Sequence, residues 1–284
     1  MALMQNSPLV STAWLSNRLN DSQVRILDAS WFMPDSGRDP AKDYAERHIP
    51  GAVFFGVDEI SDHADPLPHM LSAPADFAVA VRRLGVGSDS IVVVYDSVGL
   101  FSAPRVWWNF RAMGHQSTYV LDGGLPRWLD EGRPVETGWR ETLHADFKSR
   151  PDSSLVRNLA DMTRILADSS AQILDARPEV RFTGAAPEPR AGLRGGHMPG
   201  ALNLPFTSLV EGGALRSPED LRSVFATAGV DLGRPMVTSC GSGISAALLA
   251  LALARIGRAD IAVYDGSWVE WGGRADTAVV TGAD

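Results

Sequence analysis

The sequence predicts an α/β protein built from two tandem copies of one domain, each a mainly parallel sheet flanked by helices. Four short strings recur in the same order in the two halves at an offset of 143 to 149 residues. A period that long signals a duplicated domain rather than a solenoid repeat. Within each half, short β-branched runs alternate with helical stretches, the pattern of a parallel sheet. A chain of 284 residues that is 45% hydrophobic also carries enough apolar surface for two ordinary cores.

In chain order, Ile26-Leu27-Asp28-Ala29 returns as Ile173-Leu174-Asp175-Ala176, and His48-Ile49-Pro50-Gly51-Ala52 returns as His197-Met198-Pro199-Gly200-Ala201. Each histidine precedes Pro-Gly, so both are expected to fix a turn. Pro74 to Leu84 and Pro218 to Ala228 read as helices opened by proline. Ile91 to Tyr95 and Ile261 to Tyr264 read as strands. Val93-Val94-Tyr95-Asp96 stands where Val237-Thr238-Ser239-Cys240 later stands, and each is followed by a Ser-Ala pair opening a helix, at Ser102 and Ser245. Leu121-Asp122-Gly123-Gly124 with Trp128 matches Tyr264-Asp265-Gly266-Ser267 with Trp271. The polar stretch from Gly138 to Asp152 carries few apolar residues and reads as a linker. The expected division is a domain over 1–139, a linker over 140–156 and a second domain over 157–284.

Composition narrows the function classes. The net charge is −8 and lysine occurs only at positions 42 and 148, so no basic stripe can track a phosphate backbone. Nucleic acid is not an expected partner. The apolar run Ala246 to Leu253 is far below the roughly 20 residues of a membrane span, so it predicts a buried helix and no membrane partner. A single cysteine excludes an intrachain disulfide and a cysteine-based zinc site. The first residues lack the basic start and apolar core of a secretory signal. A reducing cytoplasm is the expected compartment, with neither metal nor cofactor implied.

That lone cysteine, Cys240, sits between the apolar run Met236-Val237-Thr238-Ser239 and the loop Gly241-Ser242-Gly243-Ile244-Ser245, which leads into Ala246 to Leu251. The pattern reads as strand, tight loop, helix. Such a loop turns several backbone N–H groups inward, and the following helix adds the positive end of its dipole, so an anion is favoured at the centre. The expectation is an accessible thiol held as a thiolate, a nucleophile rather than packing. In the first half the matching place has Asp96-Ser97-Val98-Gly99-Leu100-Phe101, without a thiol and one residue longer. Only the second half can then do thiolate chemistry, with the first as the expected wall of a cleft.

These strings, with Ala103-Pro104-Arg105-Val106-Trp107-Trp108, Glu188-Pro189-Arg190 and Gly195-Gly196-His197, resemble those of tandem rhodanese-like sulfurtransferases over nearly the whole chain. Neutral Gly241 and Ser242 are similar to the mercaptopyruvate-using branch, whereas thiosulfate users of the family usually place basic side chains there. Ile244 and Ser245 depart from the usual Val-Thr but keep one apolar residue and one hydroxyl.

The resemblance implies that Cys240 takes sulfur from 3-mercaptopyruvate as a persulfide, releases pyruvate, and passes the sulfur to cyanide or to a thiol such as a thioredoxin-type dithiol. It implies a persulfide cradle from the backbone of Gly241, Ser242, Gly243, Ile244 and Ser245. Arg181 and Arg190 are implied as the substrate-carboxylate pair, a task suited to planar guanidinium. Arg177 and Arg194 do not match the family's positions and read as structural. A relay of Ser242, His69 and Asp58 is implied for the developing enolate, with the irregular segment from Ser61 to Met70 as a lid.

Three other readings stand beside this one. A thiosulfate:cyanide sulfurtransferase would use the same persulfide chemistry. A cysteine phosphatase would need an arginine where this chain has Ala246. A non-catalytic binding module would have no reason to keep Cys240.

Overall fold

The computed structural model describes residues 7–282. The strands are β1 (Leu9–Val10), β2 (Val24–Asp28), β3 (Ala52–Phe54), β4 (Ile91–Tyr95), β5 (Thr118–Leu121), β6 (Val156–Arg157), β7 (Gln172–Asp175), β8 (Leu202–Asn203), β9 (Val210–Glu211), β10 (Ala214–Leu215), β11 (Met236–Ser239) and β12 (Ala262–Tyr264). The chain divides into two compact units, the first over Met1–Asp62, Leu71–Asp152 and Gly212–Leu215, the second over His63–Met70, Ser153–Glu211 and Arg216–Asp284. Each unit thus takes a short excursion from the other half of the sequence.

The two units repeat one topology. The first sheet runs β1-β5-β4-β2-β3 and the second β6-β12-β11-β7-β8, all pairs parallel. In each, the third strand in spatial order is a short run rich in β-branched residues, buried throughout in the second unit and from Val92 onward in the first, as a strand covered on both faces requires. Asp96 and Cys240 are the first residues past these central strands. That position, the carboxyl end of a parallel strand, is where α/β sheets place their ligand sites.

Helices follow the sequence signals closely. Pro74–Arg83 and Pro218–Thr227 both begin with proline at the first turn, where its missing N–H costs nothing, and Ser217 caps the second by accepting from Asp220 N at 3.1 Å. Ala246–Arg255 is buried on every side through Ala254, as expected of a helix apolar all round. Its alternating Ala and Leu are strong helix formers that also pack closely.

The histidines of the two Pro-Gly turns are buried. His48 stacks on Tyr44 with ring centroids 4.2 Å apart and bonds Tyr44 O at 2.9 Å through Nδ1. His197 stacks on Phe182 at 3.6 Å and bonds Phe182 O at 2.9 Å. An imidazole here joins a turn to the helix before it. Because Tyr44 and Phe182 make the same stack in the two units, Asp43 is the counterpart of Arg181 in the repeat and carries the other sign of charge.

The patternless stretch after Gly138 is clipped to the first unit. Ala145 N donates to Arg82 O, Arg150 N to Met113 O and Asp152 N to Ala112 O. Phe147, 1% exposed, packs 5.9 Å from both Phe77 and Phe110. One buried phenylalanine contributes about 2 to 3 kcal/mol, which explains how a segment with so few apolar residues is held.

Candidate active site

In the first unit the loop after β4 is closed around its own anion. Asp96 Oδ1 accepts from Val98 N at 3.0 Å and Gly99 N at 2.9 Å, and Oδ2 accepts from Phe101 N at 2.8 Å, Ser102 N at 3.0 Å and Ala103 N at 2.9 Å. The side chain is fully buried. Five backbone donors on one carboxylate, at a helix start, make an anion cradle from this fold's own backbone. Burial raises the neighbouring Asp28 carboxyl to about 6, its bonds with Ser30 and Tyr95 work the other way, and the Asp96 charge adds to the rise.

In the second unit Cys240 takes the place of Asp96. Its carbonyl accepts from Trp268 N at 2.9 Å, just as Asp96 O accepts from Leu125 N at 3.0 Å. Among the described residues, no oxygen of the chain accepts from the N–H groups of Gly241, Ser242, Ile244 or Ser245. Gly243 turns the loop at φ +81°, a region open to glycine at no cost. The Ser267 hydroxyl accepts from Cys240 N at 3.3 Å. Cys240 is 2% exposed and Ser242 7%. The accessible thiol expected from the sequence is therefore corrected: Cys240 is buried, and Ser242, Gly243 and Ile244 are buried with it.

Arg181, 21% exposed at its side chain, reaches this loop. A methyl group on Gly241 would lie 3.1 Å from Arg181 Nη2. Arg181 Nε donates to Glu188 Oε1 at 3.2 Å and Nη2 donates to Glu188 Oε2. Glu188, 1% exposed at its side chain, also accepts from Arg177 Nη1 at 2.8 Å. Arg177 is fully buried, gripped by Asp175 at 2.7 Å, donates to Gly196 O at 2.8 Å and stacks 4.2 Å over the Trp268 ring. Burial works against that cation, but Asp175 and Glu188 outweigh it and hold its pKa above the ordinary arginine value.

The remaining expected residues fall as follows. Arg190 Nη2 lies 3.4 Å from His69 Nε2, so these two, 121 residues apart in sequence, meet inside the second unit. His69 is 6% exposed and adopts φ +64°, uncommon for a residue with a Cβ. It sits on the loop that leaves the first unit at the Ser61–Leu71 bridge, and residues 63–70 group with the second unit. Asp58 belongs to the first unit, where its carboxylate accepts from Trp31 Nε1 at 2.9 Å. Arg194 is spent on backbone, donating to Gly272 O, Trp271 O and Thr277 O. Among the described residues, no group of three His, Cys, Asp or Glu side chains could hold a metal ion, and no helix is long and apolar enough to cross a membrane.

Glu188 and Ser267 were not singled out by sequence reasoning. Both stand inside strings that match the repeat or the family, which was the available signal.

Comparison with known proteins agrees with this geometry. The family description "Rhodanese-like domain" matches residues 11–131 and again 158–274. A 3-mercaptopyruvate sulfurtransferase of Escherichia coli (strain K12) is 43% identical over 277 residues, covering 97% of this chain and 99% of its own. A thiosulfate sulfurtransferase of Bos taurus is also 43% identical, over 275 residues, covering 94% and 92%. The crystal structure of SseA from Escherichia coli superimposes with a TM-score of 0.86 at 41% identity, covering 92% of this chain and 99% of that one.

Proposed function

The chain belongs to the rhodanese-like family, as a tandem-domain sulfurtransferase, and from that premise we propose that it moves the sulfur of 3-mercaptopyruvate through a persulfide on Cys240, releasing pyruvate. The single observation that carries this reading is the Asp96 carboxylate with its five backbone donors. The repeat puts a thiol where that carboxylate stands, so an anionic sulfur at Cys240 meets a loop built to hold negative charge.

The chemistry follows from the parts. The Cys240 thiolate attacks the donor sulfur, forming an S–S bond as the C–S bond breaks. The bonding pair moves into the pyruvate carbon as the enolate, and a proton turns that carbon into the methyl group of pyruvate. The outer persulfide sulfur then passes to the attacking acceptor, a thiol such as a thioredoxin-type dithiol or cyanide, and the Cys240 thiolate returns. Ser242, His69 and Asp58 are the groups proposed to serve the enolate oxygen and its proton. Arg181 and Arg190 are proposed for the donor carboxylate, since a guanidinium edge meets a carboxylate with two parallel bonds. A reducing cytoplasm suits a single working thiol.

The thiosulfate reading is kept because the bovine thiosulfate enzyme is as similar as the Escherichia coli one. The loop favours mercaptopyruvate: Gly241 and Ser242 offer no basic side chain to an inorganic dianion. Intact-mass spectrometry after 3-mercaptopyruvate treatment tests the proposal. A gain of one sulfur atom, absent in Cys240→Ala, is expected; no gain overturns it. Equal or better turnover of thiosulfate on one preparation would transfer the substrate assignment to the alternative.

A further inference from the structure

Arg181 is not a loose surface arginine. Asp175 ends β7, beside the strand that leads to Cys240, and pairs in register with Ser239. From it a chain of buried charges runs through Arg177 and Glu188 to Arg181. Glu188 uses both oxygens on Arg181, gripping the Nε–Nη2 edge of the guanidinium. Nη1 makes no bond within the chain among the described residues. Gly241 has an ordinary backbone angle, so backbone freedom gives no reason for glycine there; the 3.1 Å separation from Arg181 Nη2 does.

We propose that Glu188 is a positioning residue that sets donor choice, holding Arg181 against the side-chain-free Gly241 so that its open edge meets the carboxylate of an α-keto acid donor. This rests on the reading of Arg181 as a carboxylate partner. Two effects of Glu188 must be separated. Its negative charge weakens the attraction of Arg181 for any anion, and its grip fixes the angle of the fork. Thiosulfate feels the first effect alone. A planar carboxylate that needs two aligned bonds feels both.

The test is a double-mutant cycle read as the ratio of kcat/KM for 3-mercaptopyruvate to that for thiosulfate, on wild type, Glu188→Gln, Arg181→Ala and the double variant. Glu188→Gln leaves Arg177 paired with Asp175, so the buried cation stays compensated. The expected result is a drop of about tenfold in the ratio for Glu188→Gln, carried by KM, with thiosulfate unchanged or improved. The double variant should fall no further than Arg181→Ala. An equal loss for both donors, or a Glu188→Gln effect that multiplies in full with Arg181→Ala, overturns the proposal. If Arg181→Ala leaves the ratio untouched, the carboxylate reading itself has failed and Glu188 loses its role with it. Should Glu188→Gln not fold, Glu188→Asp, which keeps the charge but draws it back by one methylene, is read by the same criteria.

Discussion

The hydroxyl of Ser267 accepts the backbone N–H of Cys240 at 3.3 Å and donates to Tyr264 O at 2.9 Å. One buried side chain thereby ties the working loop to the end of β12. Ser267 does this at φ +48°, where a residue with a Cβ is strained by about 1 kcal/mol or more. Its counterpart Gly124 has φ +54° and no room for a side chain, since a Cβ would lie 2.5 Å from Asp96 O. Replacing Ser267 with glycine should relieve the strain and release the loop together. We expect Ser267→Gly to keep its melting temperature within a few degrees while kcat for persulfide formation falls about tenfold. Thermal melts paired with single-turnover kinetics check this; unchanged kinetics would remove the tie.

Asp96→Ala should unfold the first unit or leave it marginal. Five N–H groups lose a charged acceptor at once, those of Gly99, Ser102 and Ala103 in buried bonds, and stranding a buried donor costs about 1–3 kcal/mol where water does not replace the lost bond. A loss of at least about 3 kcal/mol in urea titration is expected. A change below about 1 kcal/mol would show that water serves the loop as well as the carboxylate does.

Asp28 supplies a pH dependence whose sign is fixed. Its folded-state carboxyl is raised by burial from 3.8 to about 6, so the folded chain holds a proton there that the unfolded chain has released. That contribution is fully present below pH 3.8 and is lost as pH rises through about 6. The swing is at most about 3 kcal/mol. Asp28→Asn keeps an acceptor for Ser30 N and removes the charge. It should melt higher than wild type at pH 7.5, with the difference vanishing towards pH 4. A gap that stays constant with pH would contradict the shift.

Arg190→Ala should raise KM for 3-mercaptopyruvate by about tenfold and leave thiosulfate less affected. Because Arg190 Nη2 lies 3.4 Å from His69 Nε2, the same change should also lower kcat for 3-mercaptopyruvate. Uniform loss for both donors with kcat unchanged would exclude both roles.

The duplication, the two parallel sheets and the Cys240 loop were legible because each rests on local pattern: repeated strings, β-branched runs and glycines next to a cysteine. Met236–Ser239 and Ala246–Arg255 fall where sequence put them, at most lengthened by a turn. What sequence could not show is set by chain return. Glu188 owes its importance to a loop that folds back onto Arg181 and Arg177, and periodicity carries no trace of that. The meeting of Arg190 with His69 crosses 121 residues. The depth of Cys240 was also hidden, because a tight glycine loop after a strand carries no sign of what covers it, while packing buries Ser242, Gly243 and Ile244. The strap around Phe147 reads as linker since a single anchor leaves no period.

Asp96 gives the ancestral duplication a permanent asymmetry. A cradle that already encloses a covalently attached anion at saturating local concentration is inhibited by its own chain, and no diffusing sulfur species competes with a tether. A cysteine at that one position would remove the tenant, yet Asp43 would still stand where the second half has Arg181. A working thiolate in the first half therefore demands at least two exchanges, Asp96 for a thiol and Asp43 for a cation, so no single step would give the halves equal roles.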